Sequence, residues 1–258
     1  MDMDYYSVAK QASQDFVCHP AYPRFKLLAS RAKKILDAGC GEGSRLNLLA
    51  PPRVQAYGLD INKQAIRLAQ RQFPRLNFIP YGGHVFPLPN ASFDFVYSAF
   101  VLEHTQDPQQ FIDEMIRVLA PGGHLAIICP NFGAPNRRSP CSVESPIKKL
   151  LVGIWLDSFP AANTLHWQQV VPKPDYNQID DDTTVEPYLR SLQQYLDRSG
   201  MRVIHASSLW SLEEKTRNPR KLLFKWLGQL SLPPFSHWGP QLFIIAVKAD
   251  SRHGKVTA

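Results

Sequence analysis

Ile35-Leu-Asp-Ala-Gly-Cys-Gly-Glu-Gly43, read together with Tyr57-Gly-Leu-Asp-Ile-Asn62, is the stretch that decides the fold. A short apolar run enters a turn with glycines at 39, 41 and 43, and helix-forming sequence begins at Ser44. Glycine lets backbone pass close to a ligand without a Cβ and adopts positive φ where a tight turn needs it. Asp60 ends the next apolar run, 21 residues beyond Gly39, where a carboxylate can grip a ribose diol. The pattern places an adenosine-type ligand at the carboxyl edge of a parallel sheet. The dinucleotide fingerprint G-x-G-x-x-G would need a third glycine at position 44, and Ser44 stands there, which argues against a nicotinamide dehydrogenase.

A chain of 258 residues, 44% hydrophobic and 20% charged, can bury a full core and suits one domain, 1–258, with insertions. Cys18, Cys40, Cys129 and Cys141 form no C-x-x-C pair and have no histidine at metal-ligand spacing, so neither disulfides nor a metal site is expected. The chain shows no signal-peptide pattern. Its longest apolar run, Leu150–Leu156, is far short of the ~20 residues of a membrane span, so a cytoplasmic protein is expected. The net charge of +7 gathers late, with Lys215, Arg217, Arg220, Lys221 and Lys225 close together. No basic run is interleaved with stacking aromatics, so nucleic acid is not an expected partner and a solvated basic face is the plain reading.

Strands are expected at 34–38, 54–59, 77–79, 93–98 and 124–129, with helices at 44–50 and 62–72 between them. Asp107-Pro108 opens the best-defined helix, whose apolar face is Phe111, Ile112, Met115, Val118 and Leu119, and Ala120-Pro-Gly-Gly123 is expected to stop it. Alternating strands and helices imply an α/β fold: a Rossmann-like, seven-stranded, mostly parallel sheet with helices on both faces and the last strand antiparallel. Residues 1–34 read as a helical cap broken near His19–Pro23, and 35–130 as the ligand-binding core. Residues 131–187, rich in proline and carrying Trp155 and Trp167, read as an inserted lid, and 210–238 as a second insertion. Between them lie a helix over 187–199 and a strand over 202–206; a final strand follows at 241–248.

Four blocks in fixed order resemble the class I S-adenosylmethionine-dependent methyltransferases, in the branch of ubiquinone/menaquinone-type and small-molecule enzymes. They are Ile35–Gly43, Gly58–Asn62, Phe86–Asp94 running through Val101-Leu-Glu-His104, and Arg117–His124. The resemblance implies that S-adenosylmethionine is the cofactor. It implies that Asp37, Gly39, Cys40 and Gly41 line its methionine end, that Asp60 holds the ribose, that Ile61 packs on the adenine and that Ser98 approaches the sulfonium. The family's acid for the adenine amino group is missing, since Gly82-Gly83-His84 stands there; Gly83 and His84 are the residues left for that contact.

Methyl transfer asks the protein to align a nucleophile and exclude water, with a base only where the acceptor must lose a proton. His104 is the candidate catalytic residue, with packing or helix capping beside Pro108 as the alternative. Glu103 reads as structural, His166 as a loop histidine, and Asp180–Asp182 as a solvated acidic run rather than a cation site. Tyr5 and Tyr6 read as packing of the amino-terminal helix. The reading is a methyltransferase moving a methyl group to O, N or C of an aromatic, lipid-like or glycosyl small molecule. The alternative is a binding or regulatory protein that keeps the fold without transfer. The basic and apolar residues of 210–238 admit peripheral contact with a membrane surface. A base-directed nucleic-acid enzyme is disfavoured because strand four ends Tyr97-Ser-Ala-Phe100.

Overall fold

The computed structural model describes residues 15–158, 165, 167–172, 182–213 and 215–249. The chain divides into two units: Met1–Ala99 with Gln110–Ala126 and Val247–Ala258, and Phe100–Gln109 with Ile127–Ala246. Seven strands form one sheet in the order β3-β2-β1-β4-β5-β9-β8, where β1 is Lys34–Ala38, β2 Gln55–Asp60, β3 Asn77–Pro80, β4 Phe93–Ala99, β5 Leu119–Pro130, β8 Met201–Ser208 and β9 Gln241–Lys248.

In the first unit β1 pairs in parallel with β2 and β4, and β2 with β3. Ile35, Leu36, Asp37 and Ala38 are all fully buried, as expected of a parallel strand covered on both faces. Its helices are α1 (Tyr22–Arg31), α2 (Ser44–Leu49), α3 (Lys63–Gln72) and most of α4 (Pro108–Val118). The Asn62 side chain caps α3 by accepting from the amides of Gln64 and Ala65 at 2.9 and 3.2 Å. Helix α4 buries Phe111, Ile112, Met115 and Val118, the face its periodicity predicts. Its polar side holds the Phe86–Asn90 loop: Glu114 accepts from the Phe86 amide at 2.6 Å, and Arg117 donates to the carbonyls of Phe86 and Leu88.

One boundary differs from the sequence expectation. Helix α4 ends at Val118 and strand β5 starts at Leu119, so Ala120-Pro-Gly-Gly123 is not a helix stop followed by a later strand. The Lys248 ammonium donates to the carbonyls of Ile116 and Leu119 at 2.6 and 2.7 Å and thereby closes the helix end. Gly123 serves close approach instead, since a Cβ there would lie 2.8 Å from the Ala120 carbonyl oxygen.

In the second unit Asn131 donates its amide to the Pro240 carbonyl at 2.9 Å, and Leu209 to that of Gln241 at 2.8 Å. Strand β9 therefore starts where β5 and β8 end, which makes it the antiparallel member. The remaining elements are α5 (Pro146–Ser158), α6 (Leu189–Arg198), α7 (Pro219–Gln229) and a two-stranded ribbon of β6 (Gln168–Gln169) and β7 (Val185–Glu186). Helix α5 was not foreseen.

Both inserted segments feed one aromatic cluster, in which Leu150, Tyr188, Phe224 and Phe235 pack on Ala134, Trp210 and Trp238. The buried Asn131 ties it together, donating to the carbonyls of His237 and Gly239 and accepting from the Leu189 amide. Lys149 and Glu186 form a buried ion pair, completed by donors from Ser139 and by the Phe132 carbonyl. Among the described residues no helix is long and apolar enough to cross a membrane.

Candidate functional site

Register places the first carboxylate. Asp37 sits opposite Gly58 on β2 and Tyr97 on β4. It is fully buried; Oδ2 accepts from the Tyr97 hydroxyl at 2.9 Å, while Oδ1 has no partner among the described residues. Burial pushes its pKa up to about 7 against the opposing pull of the Arg45 guanidinium and the Tyr97 hydrogen bond, with Asp60 and Glu42 adding repulsion.

The turn that follows is held by β2, since the amides of Gly39 and Cys40 both donate to the Leu59 carbonyl, at 2.8 and 2.9 Å. Gly43 has φ +83°, and a Cβ there would lie 2.5 Å from the Phe78 ring, so both conformation and space demand glycine. Gly41 also has positive φ, +54°, but a Cβ there would meet nothing within 4 Å: the space above it is open. Asp60 is fixed by backbone alone, Oδ2 accepting from the Gly41 amide and Oδ1 from that of Asn62, both at 2.8 Å. Each oxygen keeps a further lone pair for a ligand hydroxyl. Burial raises the Asp60 pKa, and its backbone donors oppose that rise.

Ser98 lies inside β4, one residue before its end, and its buried Oγ has no partner among the described residues. Glu42, also buried, accepts from the Ser44 amide through Oε2 and leaves Oε1 without a partner. Asp37 Oδ1, Glu42 Oε1 and Ser98 Oγ are thus buried oxygens at the carboxyl ends of β1 and β4 that lack a donor among the described residues. This set fits a ligand that brings an ammonium and a positive centre, as S-adenosylmethionine does. Tyr97, Arg45 and Glu42 were missed from sequence. Arg45, which donates to the Ala99 carbonyl and lies over the Phe16 ring, carried a signal: a charged residue beside Leu46 on the buried side of a helix.

The adenine end is open by comparison. Ile61 is 63% exposed, Gly83 (φ +89°) offers only Ile61 as a neighbour, and His84 is exposed. No carboxylate occurs from Tyr81 to Asn90.

The second unit holds His104, in a 3-10 turn over Leu102–His104. Its Nδ1 lies 3.1 Å from Asp182 and its Nε2 3.8 Å from the buried Glu103. Burial opposes its charged form, but the two carboxylates prevail and lift its pKa to about 9. Thr184 straps the turn by donating its amide and hydroxyl to the carbonyls of Glu103 and Thr105. His166, Asp180, Asp181, Tyr5 and Tyr6 lie outside the described residues. Among the described residues no His, Cys, Asp and Glu cluster could hold a metal ion.

The family model described as a methyltransferase domain matches residues 36–127. A probable S-adenosylmethionine-dependent methyltransferase of Mycolicibacterium smegmatis is 35% identical over 120 residues, covering 45% of this chain and 47% of the relative. A phthiotriol/phenolphthiotriol dimycocerosates methyltransferase of Mycobacterium leprae is 37% identical over 98 residues, 36% of each chain. The chain therefore spans less than half the length of these curated relatives. A solved methyltransferase from Methanosarcina mazei matches in fold with a TM-score of 0.56 at 20% identity, covering 89% of this chain and 99% of that one. Residues 36–127 thus match a methyltransferase domain, and the curated relatives aligned over that part are S-adenosylmethionine-dependent methyltransferases.

Proposed function

We propose that this protein transfers the methyl group of S-adenosylmethionine to a small-molecule acceptor. The observation that carries the reading is Asp37: a fully buried carboxylate with one oxygen lacking a donor, beside a glycine turn whose central Cβ position faces open space. A bound ammonium would satisfy that oxygen, and Asp60, already oriented by two amides, would take the ribose hydroxyls. Ile61, Gly83 and His84 would meet the adenine, with the exposed apolar side chain of Ile61 replacing polar readout. When bound, the cofactor supplies a methyl group made electrophilic by the sulfonium, so little covalent chemistry is left to the protein.

With a pKa of about 9, His104 carries a proton at neutral pH and cannot accept another. Its proposed role is to donate to an acceptor oxygen that arrives ionised, or to become a base only after Asp182 withdraws. Segments 131–187 and 210–238 are the proposed acceptor side; their aromatic content suits an aromatic or lipid-like molecule.

Calorimetry with S-adenosylhomocysteine tests the cofactor half, with Asp60→Ala expected to weaken binding at least tenfold. The absence of binding would overturn the proposal. Binding with no turnover across phenolic, carboxylic and lipid acceptors would leave a regulatory protein.

A further inference from the structure

Helix α7 carries two apolar faces, and only one of them is used within its unit. Phe224 packs on Trp238 and Phe235, and Gly228 lies against the Trp210 indole, where a Cβ would come within 2.0 Å of Nε1. That is the inward face. Leu222, Leu223, Trp226 and Leu230 point the other way, each with about half of its surface in solvent. At 100° per residue these four fall within an arc of about 100°. Arg220 lies beyond one side of the arc and Lys225 beyond the other. The flanks continue the charge: Lys215, Arg217 and Lys221 are exposed, and no acidic residue occurs from 215 to 240.

Helix stability does not account for this arrangement. Arg220 and Lys221 occupy the first turn, where the macrodipole disfavours cations, and the Asn218 cap with Pro219 behind it sets the helix start without them. Packing does not account for the outer leucines either, because Phe224 and Gly228 already seat the helix. On α5, whose Leu150 packs on the same cluster, Ile147 and Leu151 are also strongly exposed, but the Lys148 between them pairs with Glu144 at 3.5 Å, so the acid-free combination belongs to α7.

We propose that the outer face of α7 docks this protein on the surface of an anionic lipid bilayer. The leucines and the Trp226 ring enter the headgroup–acyl boundary, and Arg220 and Lys225, on either side of the arc, meet the lipid phosphates. Exposed apolar residues flanked by cations, without an acid, match a negatively charged surface with an apolar interior. The large ring of Trp226, apolar with one polar N–H, belongs at such a boundary.

Co-sedimentation with phosphatidylcholine vesicles, with and without phosphatidylglycerol, tests the proposal on the full chain. The wild type is expected to sediment with the anionic vesicles only, and added salt should release it. Arg220→Glu with Lys225→Glu should lower partitioning on the order of tenfold or more. Leu222→Ser with Trp226→Ser should do the same, while Trp226→Phe retains binding. Melting midpoints report whether the variants fold; if the apolar pair does not, the charge pair decides alone. Equal partitioning of wild type and charge pair, or no sedimentation with anionic vesicles, would overturn the proposal. So would a wild-type dimer in solution that the same substitutions dissociate, which would assign the face to a second copy. The readout is independent of cofactor binding, so its failure leaves the proposed methyl transfer standing.

Discussion

Asp37→Asn should make the free protein more stable above neutral pH while weakening its hold on the cofactor. The Asp37 carboxyl is raised from an ordinary value of 3.8 to about 7, chiefly by burial. A group whose folded pKa is raised binds protons more tightly in the native state. Its ionisation therefore destabilises the fold progressively as pH climbs from 3.8 to about 7. The full difference corresponds to roughly 4 kcal/mol. Asparagine keeps the acceptor for the Tyr97 hydroxyl but leaves an unpartnered amide in place of Oδ1, which costs about 1–3 kcal/mol. The net gain expected at about pH 8 is therefore ~1–3 kcal/mol, and at about pH 5, where the acid is neutral, it should shrink toward zero.

Urea unfolding at both pH values reads this directly. Calorimetry with S-adenosylhomocysteine supplies the other half, because only the ionised carboxylate pairs with the ligand's ammonium. Wild-type affinity should rise with pH until about 7 and binding should release protons, visible as a buffer-dependent enthalpy. Asp37→Asn should abolish both effects. A variant less stable than wild type at about pH 8, or one that binds with undiminished affinity, would refute the reasoning: Asp37 would then be a structural acid.

Two of the three turn glycines, Gly41 and Gly43, should separate in thermal melts. Gly43→Ala meets both a φ of +83° and the Phe78 ring and should cost ~2–4 kcal/mol, whereas Gly41→Ala meets only φ strain of about 1–2 kcal/mol and should instead impair cofactor binding. Glu186→Gln leaves the buried Lys149 ammonium without its counter-charge and should lower stability by about 3–5 kcal/mol, while Lys149→Met with Glu186→Leu should recover only part of it in urea titrations, because the Ser139 donors and the Phe132 carbonyl lose their partners. NMR titration should find the His104 ring near pKa 9 in wild type and closer to 6.5 in Asp182→Asn. Because this pKa is raised, the stability it contributes is complete below about pH 6.5 and lost as pH rises through 9.

How far the sequence could be read depended on the range of the signal. Strands β1 to β4 and the apolar face of α4 were legible because each is written in a few neighbouring residues. The α4 boundary was not: its end is closed by Lys248, more than a hundred residues away. Helix α5 was passed over although Ile147, Leu150, Leu151, Ile154 and Trp155 recur at the helical spacing i, i+3, i+4, i+7 and i+8, because the proline-rich sequence around it reads as an irregular insertion. Asp37, Gly41 and Asp60 could be named from their local pattern. Tyr97 could not, because only strand register brings it to Asp37, and Asn131 and Glu186 draw their meaning from partners in distant segments.

The two carboxylates of the site are prepared in opposite ways, and the difference carries the functional argument. Asp60 is oriented before any ligand arrives, since two backbone amides hold one oxygen each and the turn cannot move without breaking them. Such a group selects by geometry: a vicinal diol at the right distance completes its lone pairs at little reorganisation cost. Asp37 is prepared by deprivation, enclosed by packing, given a single hydroxyl donor and left with a pKa near the working pH. Such a group selects by charge, because a cation relieves the burial of the carboxylate where a neutral ligand cannot. On the proposed reading, an adenosine ligand without an amino group would satisfy Asp60 and leave Asp37 in debt, so the pair would discriminate an amino-acid-bearing nucleoside from other adenosine-type ligands. Adenosine should accordingly bind far more weakly than S-adenosylhomocysteine to wild type, and Asp37→Asn should narrow that gap by weakening only the latter.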